Sequence, residues 1–105
     1  RPLVMVMVYP PNFLDNMWYV YVLESKSDGN KYVGMTNDLT RRLSLHNSGK
    51  VLSTKTRMPF SLIYCEVYLN KHDAAVREQF LKSGWGKNYL SKTLQNYFQS
   101  KKLGG

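Results

Sequence analysis

Aromatic and β-branched residues open the first strong pattern in the chain. Trp18-Tyr-Val-Tyr-Val-Leu-Glu24 is followed by the turn-rich stretch Ser-Lys-Ser-Asp-Gly-Asn and then by Lys31-Tyr-Val-Gly-Met-Thr36. Such residues suit a half-buried pleated surface, and the polar stretch between them marks a chain reversal, so a β-hairpin is predicted. Asn37-Asp38 caps a helix of about Leu39–Asn47, which Ser48-Gly49 ends. A basic loop, residues 50–60, leads into a third strand from Ser61 to Leu69. Asn70 caps a second helix, about His72–Ser83, closed by Gly84 and Gly86. A third helix, about Asn88–Ser100, carries Leu90, Leu94, Tyr97 and Phe98 at helical spacing. The order ββαβαα predicts an α+β domain, a three-stranded antiparallel sheet flanked by three helices. With 105 residues there is room for one domain and one modest core.

Residues 1–16 differ from the rest of the chain. Pro10-Pro11 separates the apolar run Leu3–Tyr9 from the first strand, and the leader is read as an N-terminal extension without an assigned role. The functional domain is expected over residues 17–100, with a basic, glycine-containing tail at 101–105. The run Leu3–Tyr9 is too short to cross a bilayer, nothing points to secretion, and a cytoplasmic protein with no membrane partner is expected. Cys65, the single cysteine, excludes an intramolecular disulfide and a cysteine-rich zinc site. Oligomeric state is not readable from the pattern.

Charge changes the picture. Fifteen Lys and Arg against seven Asp and Glu give a net charge of +8, which favours a polyanionic partner such as nucleic acid. From Leu39 to Cys65 stand Arg41, Arg42, Lys50, Lys55 and Arg57 with no acid. From Gln79 onward stand Lys82, Lys87, Lys92, Lys101 and Lys102, again with no acid. Glu78 is thus the last carboxylate of the chain, at the border of a cationic tail.

Three features can carry chemistry. Tyr21 and Tyr32 fall nearly opposite each other on the hairpin, hence on one face, where two phenols can position and deprotonate a water or simply stabilise the sheet. Arg42 and His46 lie four residues apart on one helix, beside the Leu39/Leu43 stripe that should face the sheet. A guanidinium there can clamp a phosphate and an imidazole can move protons; both can equally be solvated side chains. Glu78 falls near Ala74, Ala75 and Leu81 on a helical wheel. It can be a hard oxygen ligand for Mg²⁺ or the partner of Lys82 in an i,i+4 ion pair.

Taken together, the chain resembles the GIY-YIG nuclease family, in particular its small single-domain, YhbQ-like members, from about Trp18 to the end of the third helix. The first motif reads Tyr19-Val20-Tyr21 and the second Tyr32-Val33-Gly34. Arg42 stands ten residues after Tyr32, where the family places its arginine, with Arg41 its neighbour. His46 follows within His-Asn-Ser-Gly-Lys, and Glu78 within Ala-Ala-Val-Arg-Glu matches the metal-binding glutamate. The first motif's glycine is replaced by Tyr19, and Met35 stands where some members carry a lysine. Asn88, the nearest asparagine after Glu78, is off the family spacing.

The resemblance implies a metal-dependent DNA endonuclease. Tyr21, Tyr32, Arg42, His46 and Glu78 would form its site, with Glu78 holding Mg²⁺ or Mn²⁺, and either Tyr21 or His46 would act as base. Phosphate contacts are expected from Arg41, Lys50, Lys55, Arg57, Lys82 and Lys87. No base-reading module is left over, so single-stranded or branched DNA is expected over a specific duplex, in repair, recombination or processing. Two other classes fit the composition: a non-catalytic nucleic-acid-binding module and an RNA-processing nuclease.

Overall fold

A computed structural model describes residues 16–102, so the leader apart from Asn16, and residues 103–105, lie outside the described residues. Three strands, β1 (Trp18–Ser25), β2 (Lys31–Thr36) and β3 (Phe60–Tyr68), form one antiparallel sheet in the order β2-β1-β3. The central place of β1 explains its composition: Val20 to Ser25 are all buried, as expected for a strand covered on both sides. Alternation along β1 then builds two cores. Val20 and Val22 pack with Ala74, Leu81 and Leu90, while Tyr21 and Leu23 pack with Phe60, Leu39 and Leu43 on the other face.

Helix α1 (Leu39–Asn47) covers the second face. Its start is fixed by Asp38, whose side chain accepts a bond from Arg41 N at 3.1 Å. Its far end is tied to β3 by Asn47, whose amide pairs with both backbone groups of Phe60, at 2.6 and 3.1 Å. Helix α2 (Lys71–Lys82) lies on the first face, with Asn70 accepting from His72 N and Asp73 N as its cap.

The remaining helical segment departs from the pattern reading. Instead of one helix from Asn88 there are two, α3 (Gly84–Thr93) and α4 (Gln95–Lys102), for four α-helices among the described residues. Gly84 and Gly86 open α3 rather than closing α2. Ser83 ends α2 and caps α3, accepting from Gly86 N at 3.2 Å. Gly86 permits the tight junction, because a Cβ there would overlap the Phe80 carbonyl and Leu81 backbone. Lys101, expected in a basic tail, instead ends α4 as a partner of the buried Glu24 carboxylate, at 2.5 Å. Among the described residues no helix is long and apolar enough to cross a membrane.

Candidate active site

The paired phenols are diagonal, not opposite. Tyr21 faces Gly34 across the hairpin and Tyr32 faces Leu23. The reversal holds two more residues than a Tyr21–Tyr32 pairing would allow, and it closes with Ser25 N on Asn30 O at 2.9 Å. The two-residue offset keeps both rings on one face, with centroids 6.4 Å apart. It also explains Gly34. The Tyr21 ring lies across it, and a Cβ at that position would overlap the Tyr21 hydroxyl. The glycine of Tyr-Val-Gly therefore leaves a notch in the edge strand that the buried Tyr21 ring and hydroxyl occupy.

Helix α1 brings two side chains onto this notch. The Arg42 guanidinium contacts the hydroxyls of both Tyr21 and Tyr32. His46 is wholly buried, its ring 4.8 Å from that of Tyr32, and its Nε2 lies 2.9 Å from Tyr21 Oη. Burial, with the nearby Arg42 charge, lowers the His46 pKa to about 4, so the ring is neutral near pH 7. Burial raises Tyr21 above the ordinary phenol value; Arg42 opposes this, while Tyr32 and Glu78 add to it. At rest the pair is thus a phenol and a neutral imidazole. His46 is fully enclosed, and its Nε2 is taken up by Tyr21, which is buried as well.

Glu78 comes from the opposite face of the sheet, since α2 packs there through Ala74 and Leu81. Its charge nonetheless adds, as the smallest of the causes, to the raising of the Tyr21 phenol. The expected ion pair with Lys82 is present, but loose, at 3.5 Å with the Glu78 side chain 17% exposed. Among the described residues no three His, Cys, Asp or Glu side chains gather into a metal cage. A lone carboxylate with spare lone pairs fits a cation that keeps most of its water, as Mg²⁺ does.

The expected phosphate contacts divide. Arg41, Lys50, Lys55, Lys82 and Lys87 are exposed. Arg57 is used internally: it donates to Asp28 at 2.9 Å and to the Lys31 carbonyl at 3.4 Å, and its guanidinium lies 5.6 Å from the Phe60 ring centre. It pins the basic loop to the hairpin turn. Lys82 and Lys87 line an open groove of about 860 Å³, joined by Lys31, Lys101 and Lys102, with Tyr32 at its wall. Asn88 is exposed on α3.

One residue of the cluster carries no signal in the pattern of the chain. Thr54 is fully buried and its Oγ1 lies 2.8 Å from His46 Nδ1. A threonine in a basic, polar loop reads as surface, and only the folding of the loop beneath α1 places it there.

Residues 17–96 match the family of the GIY-YIG catalytic domain. A UPF0213 protein of Streptococcus pneumoniae serotype 4 is 44% identical over 70 residues, covering 66% of this chain and 70% of that one. A UPF0213 protein of Bacillus licheniformis is 35% identical over 91 residues, covering 86% and 88%. Among solved structures, the solution NMR structure of a UPF0213 protein from Bacillus halodurans matches at 38% identity. It covers 73% of this chain and 84% of that chain, with a TM-score of 0.48.

Proposed function

Because the chain belongs to the GIY-YIG catalytic domain family, we propose that it is a metal-dependent endonuclease hydrolysing phosphodiester bonds, with single-stranded or branched DNA as substrate. What supports this reading is the gathering, around Gly34, of the Tyr21, Tyr32 and His46 rings with Arg42 beside the two phenols, while Glu78 is the acid we assign to the cation. A nuclease needs those parts: a route for a proton, a positive clamp on the phosphoryl group and a place for a hard cation.

Arg42 binds the phosphoryl group and offsets the charge that grows on its oxygens. Tyr21 Oη takes a proton from the attacking water as its own proton moves to His46 Nε2, over the 2.9 Å bond between them. The new P–O bond forms, the bond to the leaving oxygen breaks, and that oxygen takes a proton from solvent. Tyr32, half-buried at the wall of the lysine groove, orients the water and the sugar-phosphate chain. Glu78 would hold a divalent cation, Mg²⁺ or Mn²⁺, which would supply Lewis-acid stabilisation of the developing charge. His46 acts through Tyr21, the group its Nε2 is bonded to.

The exposed cations suit phosphate contacts, and nothing in the site reads bases, so specificity follows the form of the substrate. A role in DNA repair or recombination, in the cytoplasm, fits such an activity. The test is incubation with labelled single-stranded, duplex and branched DNA and RNA in Mg²⁺, Mn²⁺ or EDTA. Cleavage of unpaired or branched DNA is expected, abolished by EDTA and by Glu78→Ala while binding remains. Metal-dependent cleavage by Glu78→Ala at the wild-type rate would reject the assignment. Preferential cutting of RNA would move the reading to an RNA-processing nuclease.

A further inference from the structure

We infer that Thr54 is a positioning residue of the site, holding His46 in the tautomer that leaves Nε2 free to accept the Tyr21 proton. The inference rests on the nuclease reading for its catalytic consequence, but not for its geometry. It comes from donor and acceptor counts at both ends of a buried chain.

At the outer end, Arg42 contacts the Tyr21 oxygen. A guanidinium has donors and no acceptor, so it cannot receive the Tyr21 proton. The acceptor that remains for that proton is His46 Nε2, at 2.9 Å. A neutral imidazole has one hydrogen, and with Nε2 accepting, it sits on Nδ1.

At the inner end, Nδ1 meets Thr54 Oγ1 at 2.8 Å. The Thr54 hydroxyl has one proton of its own and directs it to the Val51 carbonyl, at 3.4 Å. It therefore presents a lone pair to Nδ1. Both ends demand the same arrangement: Tyr21 O–H to Nε2, Nδ1–H to Thr54 Oγ1, Thr54 O–H to a backbone carbonyl. No buried side-chain nitrogen or oxygen among the described residues is left without a partner.

The local fold makes this arrangement stiff. Thr54 N also donates to the Val51 carbonyl, at 3.1 Å, so the turn from Val51 to Thr54 closes on itself. Val51 is buried, and the Arg57 anchor holds the loop from beyond. The hydroxyl is thus delivered by backbone that has little room to move. A ring free to change tautomer would present N–H to the phenol part of the time and block the transfer. Thr54 does for this histidine what a backbone carbonyl or carboxylate does for metal-bound and catalytic imidazoles elsewhere. Being neutral, it fixes the ring without adding charge.

The test combines ¹⁵N-histidine NMR of the full chain with cleavage kinetics on a single-stranded oligonucleotide in Mg²⁺. In the wild type, long-range ¹H–¹⁵N correlations should show His46 with the hydrogen on Nδ1. Thr54→Val, which keeps the shape and removes the hydroxyl, should lose that tautomer or mix it with the other. Its kcat should fall on the order of 10- to 100-fold at nearly constant KM. Thr54→Ser should restore both readouts. A wild-type His46 with its hydrogen on Nε2 would overturn the inference, and that measurement needs neither a folded valine variant nor activity. A Thr54→Val protein that retains the Nδ1–H ring and wild-type kcat would overturn it equally. A chain that shows the expected tautomer and cuts no nucleic acid would instead count against the nuclease reading alone.

Discussion

Two kinds of carboxylate sit around this sheet, and they are used in opposite ways. Glu66 is saturated: Arg77 meets it with two bonds, at 2.8 and 3.0 Å, and the Tyr64 and Tyr68 hydroxyls donate at 2.5 and 2.6 Å. Glu24, fully buried, takes bonds from Lys101 and Tyr97, at 2.5 and 2.8 Å, with Lys31 at 3.6 Å. Burial works to raise both acids, but their cationic and phenolic partners outweigh it and hold both below the usual carboxylate range. Glu78 has one loose partner among the described residues, Lys82 at 3.5 Å. Filled lone pairs fasten the structure, whereas spare ones can bind something else.

The tyrosines repeat the contrast. Tyr68 and Tyr97 are pushed up to about 12, by burial first and then by the carboxylates they serve. Their protons are locked in place. Tyr21 is raised too, yet its proton points at a neutral nitrogen with a lone pair, and Arg42 favours the phenolate. The same residue type is a fastener in one setting and, in the proposed mechanism, a proton carrier in the other.

The largest difference between the two classes should appear on mutation. Glu78→Ala should lower the cleavage rate by about a thousandfold or more, equivalent to several kcal/mol of transition-state stabilisation, with the unfolding midpoint nearly unchanged. Glu66→Gln should do the reverse, costing roughly 3 kcal/mol by leaving Arg77 poorly compensated, with cleavage per folded molecule preserved. Urea denaturation alongside cleavage assays separates them. If both variants lose the same property, the distinction between the two carboxylates fails.

Next in size is the notch. Gly34→Ala should displace the Tyr21 hydroxyl and reduce kcat by about 100-fold, the scale of a misplacement near 1 Å. Single-turnover rates report it, and a wild-type rate would mean that the ring does not need that space.

A smaller effect concerns pH. His46 titrates near 4 when folded and near 6.5 when free, so the unfolded chain takes up its proton first as the pH falls. Its contribution to stability is therefore whole above about 6.5 and is lost as the pH falls toward 4. Between pH 7 and 5 that loss amounts to about 1–2 kcal/mol. Glu24 and Glu66, both held below the usual carboxylate range, stay ionised throughout this interval. Denaturation at the two pH values should show the slope in the wild type and not in His46→Asn; equal slopes would contradict a buried neutral ring. Smallest of all, Lys82→Met should change stability by no more than about 0.5 kcal/mol, as for other i,i+4 pairs. A larger loss in thermal unfolding would place Glu78 among the structural acids.

Much of this arrangement was legible in the chain because it depends on local rules. The hairpin, the capped helix Leu39–Asn47 and the cap at Asn70 come from turn, cap and periodicity signals that act over a few residues. What pattern could not supply depends on contacts between distant segments. Gly84 and Gly86 look like a stop, and become a start only because α3 packs tightly against the end of α2. Lys101 looks like a tail residue until Glu24 is placed 77 positions away. Arg57 looks like a free cation until the loop folds back onto Asp28. Thr54 shows the limit most clearly. Its residue type is common in loops, and its importance lies in which nitrogen it meets.

The central claim is that Glu78 and the two phenols serve one site although they approach it from opposite faces of the sheet. Paramagnetic line broadening by Mn²⁺ in the tyrosine-labelled protein tests it without reference to activity. Resonances of Tyr21 and Tyr32 should broaden first among the tyrosines, and the effect should vanish in Glu78→Ala. Broadening that spares these two rings, or that persists without the Glu78 carboxylate, would contradict the account.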